Sequence, residues 1–235
     1  MAKDKPNIAF IIAHPDDLSH SMGGTAYLLK KDYHLHVFCL TKGEYGIKGK
    51  TPSEAAAIRE KEEEAACKIL DAKLTFLNQI DAHTYADKEI CEKVAEYLKE
   101  LNPVAVFTLW PINEHPDHVV VHGIAVKALM LAGLYQQTEL YFSENSMGVQ
   151  TNQFHPDIYI DITSVFDIKR KMVECHQSQN PTVEEVDRML QRNIFRGLLS
   201  GCKQAEGFKT NYPLTVGGKR KGGGVLLGLV VSGYI

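Results

Sequence analysis

Short apolar runs alternate with longer amphipathic stretches along most of this chain. Residues 8–13 form an uninterrupted apolar run, and residues 104–109 form a second one that is broken only by Thr108. Such runs are typical of strands that are buried on both faces of a sheet. Between them, residues such as Ile90, Val94 and Leu98 recur at helical spacing. Because strands alternate with helices, we predict an α/β fold with a mainly parallel sheet flanked by helices.

Local signals mark the starts of two helices. Residues 51–54 and 182–185 both form capping boxes, and a proline occupies the first helical position of the earlier helix. We expect these helices to end near Leu70 and Cys202. The other predicted helices cover residues 25–31, 90–101, 119–134 and 163–176, and the other predicted strands cover residues 35–40, 73–77, 140–142 and 158–160.

The size and charge of the chain exclude several classes of protein. With 235 residues it can bury one sizeable core, and one domain over residues 1–235 is the simplest organisation. A hydrophobic fraction of 44% excludes a disordered chain or a collagen-like repeat. The 26 basic and 29 acidic residues give a net charge of −3. This balance argues against nucleic acid as the main partner, because phosphate binding needs a basic surface.

The five cysteines are scattered along the chain and include no CxxC pair. This pattern argues against a disulfide framework and against a cysteine-based zinc site. The apolar run at residues 8–13 is too short for a signal peptide, and no stretch reaches the roughly 18 apolar residues that span a bilayer. We therefore expect a protein of the reducing cytoplasm with no membrane partner.

Two histidine-containing tetrapeptides follow two of the predicted buried strands. Residues 14–17 read His-Pro-Asp-Asp, and residues 115–118 read His-Pro-Asp-His. Both fall where ligands bind in parallel sheets, beyond the carboxyl ends of the strands. His14 and Asp17 can face one centre if the chain turns into a helix there, and His118 can supply a third ligand. A single such tetrapeptide is more often a helix cap, but the pair favours a catalytic metal site with one open position.

Five further motifs accompany the tetrapeptides: Gly23-Gly24, Thr-Lys-Gly-Glu at 41–44, Arg-Glu-Lys-Glu at 59–62, His-Gln-Ser-Gln at 176–179 and Ala-Glu-Gly-Phe at 205–208. In this order the whole set resembles the PIG-L/LmbE-like deacetylase superfamily, and within it the group that includes the bacillithiol-pathway deacetylases. The resemblance spans about residues 7–208. It implies a Rossmann-like fold, a zinc ion (with Fe²⁺ as an alternative) and hydrolysis of N-acetyl groups from amino sugars.

The resemblance also assigns roles within the tetrapeptides. It makes Asp16 the general base that activates a metal-bound water, and His115 the group that stabilises the oxyanion and protonates the leaving amine. Asp117 would orient His115. The metal ligands that it implies are His14, Asp17 and His118. These roles suit amide hydrolysis, because a metal ion lowers the pKa of bound water from about 15.7 to roughly 7 and a carboxylate can then take its proton.

Two further residues are predicted to contact the substrate, Arg59 and Glu44. On the helix that follows Thr51, Glu62 is expected on the apolar face, so one interpretation is an ion pair between Arg59 and Glu62 within the helix. In the other, Arg59 holds the loop at residues 41–50 or touches a sugar hydroxyl. Glu44 lies in that loop, where it either borders the pocket or is a solvated carboxylate.

The sequence therefore predicts a zinc-dependent hydrolase that removes the N-acetyl group of an N-acetylglucosamine-type sugar or its conjugate. The expected partner is this small molecule, and we expect a homo-oligomer. The alternatives are a catalytically weak sugar-conjugate-binding relative and a hydrolase of another amide-linked conjugate. A nucleotide-binding protein is disfavoured, because Gly23-Gly24 lies nine residues past His14 and not directly after the strand.

Some parts of the sequence carry no assigned role. Many relatives have an acidic residue directly after the first tetrapeptide, where this chain has Leu18 and Ser19, followed by His20. This departure leaves the surroundings of the site and the exact sugar open. The roles of His20, His122 and His176 and of the segment rich in glycine, lysine and arginine at residues 217–224 are also open.

Overall fold

The structure is a computed structural model that describes residues 5–145, 150–211, 224–226 and 229. Within these residues one sheet is formed by β1 (Asn7–Ile12), β2 (His34–Cys39), β3 (Lys73–Phe76), β4 (Ala105–Leu109), β5 (Glu139–Ser143), β6 (Ile158–Asp161) and β7 (Ala205–Thr210). The strand order is β3-β2-β1-β4-β5-β7-β6. The pairs from β3 to β5 are parallel, and β7 runs antiparallel to both of its neighbours. The predicted α/β fold with a mainly parallel sheet is confirmed.

The helices connect the strands and cover the sheet. They are α1 (Asp17–Ser21), α2 (Gly23–Leu29), α3 (Pro52–Leu70), α4 (Lys88–Leu101), α5 (Pro116–Leu131), α6 (Phe166–Cys175) and α7 (Val183–Ser200). Both predicted capping boxes are confirmed, with Thr51 at the start of α3 and Thr182 at the start of α7. In the part of the chain that the structure describes, none of the helices has the length and apolar character needed to cross a bilayer.

The register of the central strands places the two tetrapeptides side by side. Ile8 pairs with Ala105 and Phe10 with Phe107, whose rings stack with their centroids 5.0 Å apart. Residues 8–12 are completely buried, as expected for a strand that is covered on both faces. Because β1 and β4 are parallel neighbours, their carboxyl ends meet at the same edge of the sheet, and the loops that follow them lie next to each other.

Strand β7 is absent from the predicted elements, because its sequence has no apolar run. The carboxylate of Glu206 in this strand is buried, and it accepts the backbone N–H groups of Gly24 (3.0 Å) and Thr25 (2.7 Å) at the start of α2. The buried ammonium of Lys169 pairs with the same carboxylate. A Cβ atom on Gly24 would lie 2.8 Å from Cγ2 of Ile162, so close packing explains the second glycine of the pair.

Two predictions have no outcome in the fold. Residues 217–223 of the glycine-, lysine- and arginine-rich segment lie outside the described residues, and only Gly224 is described, with its N–H 2.6 Å from Oε1 of Glu139. The single domain over residues 1–235 stays a prediction.

Candidate active site

Four loops at the carboxyl edge of the sheet contribute to one cavity of about 400 Å³. His14 follows β1, and His118 lies in the first turn of α5 after β4. Asp81 comes from the loop after β3, and Asn145 follows β5. Since all of these strands run in the same direction, the side chains converge at the position where ligands bind in open α/β sheets.

The first tetrapeptide forms a tight turn that leads into α1. Oδ2 of Asp17 accepts the backbone N–H groups of Ala13 (3.0 Å) and His14 (2.8 Å), which closes the turn. Asp16 has a φ angle of 111°, a conformation that costs a residue with a side chain about 1–3 kcal/mol. Its N–H donates to Oε2 of Glu63 at 3.0 Å. The surrounding contacts therefore hold Asp16 in a strained conformation.

The three predicted metal ligands meet inside the cavity. Nδ1 of His14 lies 3.3 Å from Nε2 of His118. The carboxylate of Asp17 is 3.3 Å from the same His118 nitrogen and 3.8 Å from Nδ1 of His14. All three side chains are buried. Two imidazole nitrogens and the Asp17 carboxylate therefore lie close together, with Oδ1 of Asp17 towards His118 and Oδ2 towards His14. Their role as metal ligands stays a prediction.

The outer contacts of the two imidazoles decide which nitrogens carry protons. Nε2 of His14 is 3.0 Å from Oδ2 of Asp117 and 3.1 Å from Oδ1 of Asp81, so it donates to carboxylates. Nδ1 of His118 is 3.2 Å from Oδ1 of Asn113, an oxygen that also accepts the N–H of His115. The nitrogens that face each other across the site are therefore the ones available to coordinate a cation.

The electrostatics of the cluster favour a cation. Burial lowers the pKa of His14, but the carboxylates of Asp117 and Asp81 outweigh burial and raise this pKa to about 10. Burial raises the pKa of Asp17, but His118 and His14 hold it far below its ordinary value of 3.8. An excess of buried carboxylates needs a balancing positive charge, which a proton on His14 or a bound metal ion supplies. The donor set of His14, Asp17 and His118 fits a divalent metal.

Among the described residues, two groups offer three ligand atoms that all lie within 4.8 Å of one another: His14 with His115 and His118, and His14 with Asp81 and Asp117. Asp17 belongs to neither group, because its two oxygens face different histidines. The second grouping lies on the Nε2 side of His14. There, Asp117 already accepts the N–H of Ala82 at 2.9 Å. The Nδ1 side of His14 faces His118 and Asp17 and is therefore the more favourable position for a metal.

Asp16 lies beside this cluster with its carboxylate held by Arg59. Nη2 of Arg59 donates to Oδ2 of Asp16 at 2.9 Å and to the carbonyl of Pro15 at 2.6 Å. Burial raises the pKa of Asp16 to about 6, although the charge of Arg59 opposes this shift. A carboxyl group with a raised pKa at the wall of this cavity is suited to take a proton from water.

His115 packs against His14 and His118, the two predicted histidine ligands. Its ring stacks on that of His118 with centroids 4.6 Å apart and 22° between the planes, and it contacts the ring of His14 edge-on at 4.6 Å. Burial, followed by the charges of His14 and His118, lowers the pKa of His115. Its buried Nδ1 has no hydrogen-bond partner among the described residues. His115 also lines the cavity that holds His14 and His118.

A comparison with known protein families identifies the chain. The sequence model of the PIG-L family, described as GlcNAc-PI de-N-acetylase, matches residues 9–129, which is just over half of the 235 residues. The chain belongs to the PIG-L family. The matched region carries both tetrapeptides and all three predicted ligands, so the resemblance inferred from the motifs is confirmed.

Relatives in this family have different activities. The diacetylchitobiose deacetylase of Thermococcus kodakarensis is 28% identical over 222 residues, covering 88% of this chain and 83% of its own length. The probable N-acetyl-α-D-glucosaminyl L-malate deacetylase 2 of Bacillus cereus is 26% identical over 76% of this chain and 86% of its own length. The structure of GalB, the 4-carboxy-2-hydroxymuconate hydratase of Pseudomonas putida, is 25% identical with a TM-score of 0.77, covering 90% of this chain and 98% of GalB.

The role predicted for Asp117 in this PIG-L site is wrong in one respect. Its Oδ2 accepts Nε2–H of His14 and the N–H of Ala82, and its Oδ1 accepts the hydroxyl of Thr84 at 2.6 Å. No contact between Asp117 and His115 is found among the described hydrogen bonds. The carboxylate points away from the neighbouring His115 because α5 turns it towards the loop after β3. Asp117 therefore orients His14, which is a predicted ligand.

The predicted ion pair between Arg59 and Glu62 is also absent from the described residues, because the two side chains leave α3 in different directions. Glu62 accepts the N–H and hydroxyl of Ser178, at 2.8 and 2.6 Å. Arg59 instead supports the tetrapeptide turn and packs against the loop at residues 41–50, where a Cβ on Gly43 would lie 2.2 Å from its Nη1. Arg59 lines the cavity, so a substrate contact remains a prediction.

Glu44 occupies a supporting position. Its Oε2 accepts the N–H of Asp81 at 3.1 Å, and Glu44 is not among the described residues that line the cavity. Its carboxylate joins two loops of the PIG-L fold, because it points towards the backbone of the loop after β3. The structure thus places Glu44 behind Asp81, and a contact between Glu44 and the substrate stays a prediction.

Sequence reasoning missed three residues of this site. Asp81 and Asn145 follow β3 and β5, so the rule that points to the loops after β1 and β4 also indicates them. Glu63 had no comparable signal. The sequence predicts Glu62 on the apolar face of α3, whereas the structure buries its neighbour Glu63.

The other histidines have structural contacts. Nδ1 of His122 is 3.0 Å from the carbonyl of Leu109, consistent with a packed residue on α5. His176 is fully buried, with Nε2 3.0 Å from the hydroxyl of Ser19. Neither lines the described cavity.

Proposed function

We propose that this protein is a metal-dependent N-deacetylase that hydrolyses the N-acetyl group of an N-acetylglucosamine-type amino sugar or its conjugate. The products are acetate and a free amine. The observation that carries the proposal is the convergence of His14, Asp17 and His118 beside Asp16 in one cavity. Membership of the PIG-L family and the deacetylase relatives support the substrate class.

His14, Asp17 and His118 would hold the metal, for which we propose Zn²⁺, with Fe²⁺ as the alternative. When bound, such a metal lowers the pKa of a coordinated water and polarises the acetyl carbonyl. Asp117 and Asn113 keep the coordinating nitrogens free of protons by accepting from the outer nitrogens of His14 and His118. Outer contacts of this kind commonly strengthen metal binding.

Asp16 takes the proton from the attacking water in this proposal. Its carboxylate is fixed by Arg59 at 2.9 Å, and its raised pKa of about 6 suits a base that works near neutral pH. The strained backbone at Asp16 aims the side chain into the cavity wall, where it lies next to the ligand Asp17.

In its protonated form His115 donates a hydrogen bond to the developing oxyanion and then supplies a proton to the leaving nitrogen, and the proton that Asp16 took from the water restores it. Its ring is fixed by stacking on His118 and lines the cavity, where a substrate would meet it. By analogy with other oxyanion-binding donors, this contact would lower the barrier by about 2.7–4 kcal/mol.

The proposed substrate is a small amino-sugar conjugate, and nucleic acid and membranes are not proposed as partners. The exposed Arg188 and the half-buried Gln179 line the cavity together with the proposed ligands, so they are placed to contact the part of the substrate beyond the acetyl group. All five cysteines are free, in keeping with a reducing cytoplasm. Self-association stays a prediction that light scattering would test.

The proposal is tested by measuring acetate release from a panel of N-acetyl amino sugars and their conjugates with zinc-loaded protein. We expect turnover of at least one compound, near-complete loss in Asp16→Asn with zinc content retained, and loss of zinc in His118→Ala. The panel includes 4-carboxy-2-hydroxymuconate, the compound in the name of the hydratase relative. No acetate release, together with water addition to this unsaturated acid, would overturn the proposal in favour of a hydratase.

A further inference from the structure

We propose that His20 is a positioning residue for Asp16, to which it donates a hydrogen bond from Nδ1 during the reaction. The inference rests on the proposed function, in which Asp16 is the general base. The observation behind it is that Nδ1 of His20 faces Oδ1 of Asp16 at 4.0 Å, while Arg59 occupies Oδ2. The two oxygens of the base are thus approached by two different donors.

The backbone of His20 is fixed by buried cations. Its carbonyl oxygen accepts Nζ of Lys169 at 2.9 Å, and Nη2 of Arg192 donates to the same oxygen. Both cations are buried, and each is also paired with a buried carboxylate, Glu206 for Lys169 and Glu144 for Arg192. His20 is only 5% exposed, yet it lines the cavity that holds the ligands. Helix α1, which carries His20, therefore holds the imidazole at the site with little freedom to move.

The amide of Asn180 determines which nitrogen of His20 carries the proton. Nδ2 of Asn180 lies 3.1 Å from Nε2 of His20, and also near the carbonyls of Val173 (3.5 Å) and His176 (3.4 Å). Carbonyl oxygens only accept hydrogen bonds, so this side of the amide is the NH₂ group, and it donates to His20. Nε2 is then the acceptor, and the proton of the neutral ring lies on Nδ1, which faces Asp16.

His20 is neutral in this environment. Burial, followed by the charge of His176, lowers the pKa of His20 well below 6.5. The distance of 4.0 Å is about 1 Å longer than a hydrogen bond to oxygen. Hydrogen bonds in catalytic sites are often long before the substrate binds and tighten in the reactive complex. A small rotation of the Asp16 carboxylate would close this gap.

Two substitutions of His20 distinguish a role of its Nδ1–H donor from a role of the volume of its ring. In His20→Asn the amide nitrogen can occupy the position of Nδ1 and still donate to Asp16. In His20→Gln the amide reaches the position of Nε2, towards Asn180, and leaves no donor opposite Asp16. We expect His20→Gln to lower kcat about tenfold to a hundredfold, the size of effect seen when a reacting group is misplaced, with KM changed little. His20→Asn should retain most of the wild-type kcat.

Zinc content and thermal unfolding are measured for both variants, because a purely structural role would move these together with kcat. Equal losses of kcat in the two variants, or no loss in either, would overturn the inference about His20. The proposed deacetylase function would not be affected by either result. Asp16→Asn provides the separate test of the base. If it keeps full activity, the proposed role of Asp16 fails whatever the His20 variants do.

A measurement on the unsubstituted protein covers the case in which neither variant folds. The ¹⁵N chemical shifts of the histidine rings report which nitrogen of each ring is protonated. We expect a neutral His20 with a proton on Nδ1, assigned by single-residue labelling in the zinc-loaded protein. A proton on Nε2 would leave no donor towards Asp16 and would contradict the inference.

Discussion

Glu63 is completely buried beneath the turn that carries Asp16, and its replacement by alanine is expected to loosen this turn. Burial raises the pKa of Glu63 to about 8, so at neutral pH the side chain is a protonated acid whose Oε2 accepts the N–H of Asp16 at 3.0 Å. Glu63→Ala leaves this N–H without its acceptor and opens a cavity beside a backbone strained at a φ of 111°. From these two effects we expect a loss of about 2–4 kcal/mol in the free energy of unfolding.

Glu63→Gln is the matched conservative variant, because it retains an acceptor oxygen and resembles the protonated acid in shape and charge. It should unfold within about 1 kcal/mol of the wild type and keep its activity, whereas Glu63→Ala should also lose kcat as Asp16 relaxes. Denaturant unfolding and acetate release at pH 7 measure both effects. The exposed neighbour Glu64 provides a control, and Glu64→Ala should stay within about 0.5 kcal/mol. If Glu63→Ala were as stable as Glu64→Ala, or if Glu63→Gln were equally damaging, the reasoning would be refuted.

Three further predictions concern packing, charge and metal. Gly24→Ala brings a Cβ to 2.8 Å from Ile162 and should cost about 1–3 kcal/mol in chemical unfolding, while Gly123→Ala, with open space around the new Cβ, should not destabilise. Lys169→Met leaves Glu206 buried without its cation and should cost about 3–5 kcal/mol, and adding Glu206→Gln should recover part of this loss. A chelator should lower both the melting temperature and acetate release, and added zinc should restore both; an unchanged melting temperature and activity would argue against a bound metal.

The main strands and the metal-ligand candidates follow from local patterns in the sequence. The apolar run at residues 8–12 is typical of a strand that is covered on both faces, and parallel strands bring their following loops to one edge. This reasoning is sufficient to place His14 and His118 near each other, although 104 positions separate them. The same reasoning does not predict β7, because Glu206 in this strand accepts N–H groups at the start of α2 and does not add to an apolar run.

Residue type and order determine which groups are available for chemistry: imidazoles, carboxylates and the turns that carry them. Tertiary structure decides what each group does, because its partners come from distant parts of the chain. The spacing of residues along the sequence does not show which of these distant groups will come into contact. Asp117 thus bonds to His14 and not to its neighbour His115, and Glu63 supports Asp16 from a helix 47 positions away. The proton of His20 is likewise set by Asn180, 160 positions further along the chain, which approaches it only when α6 packs against α1.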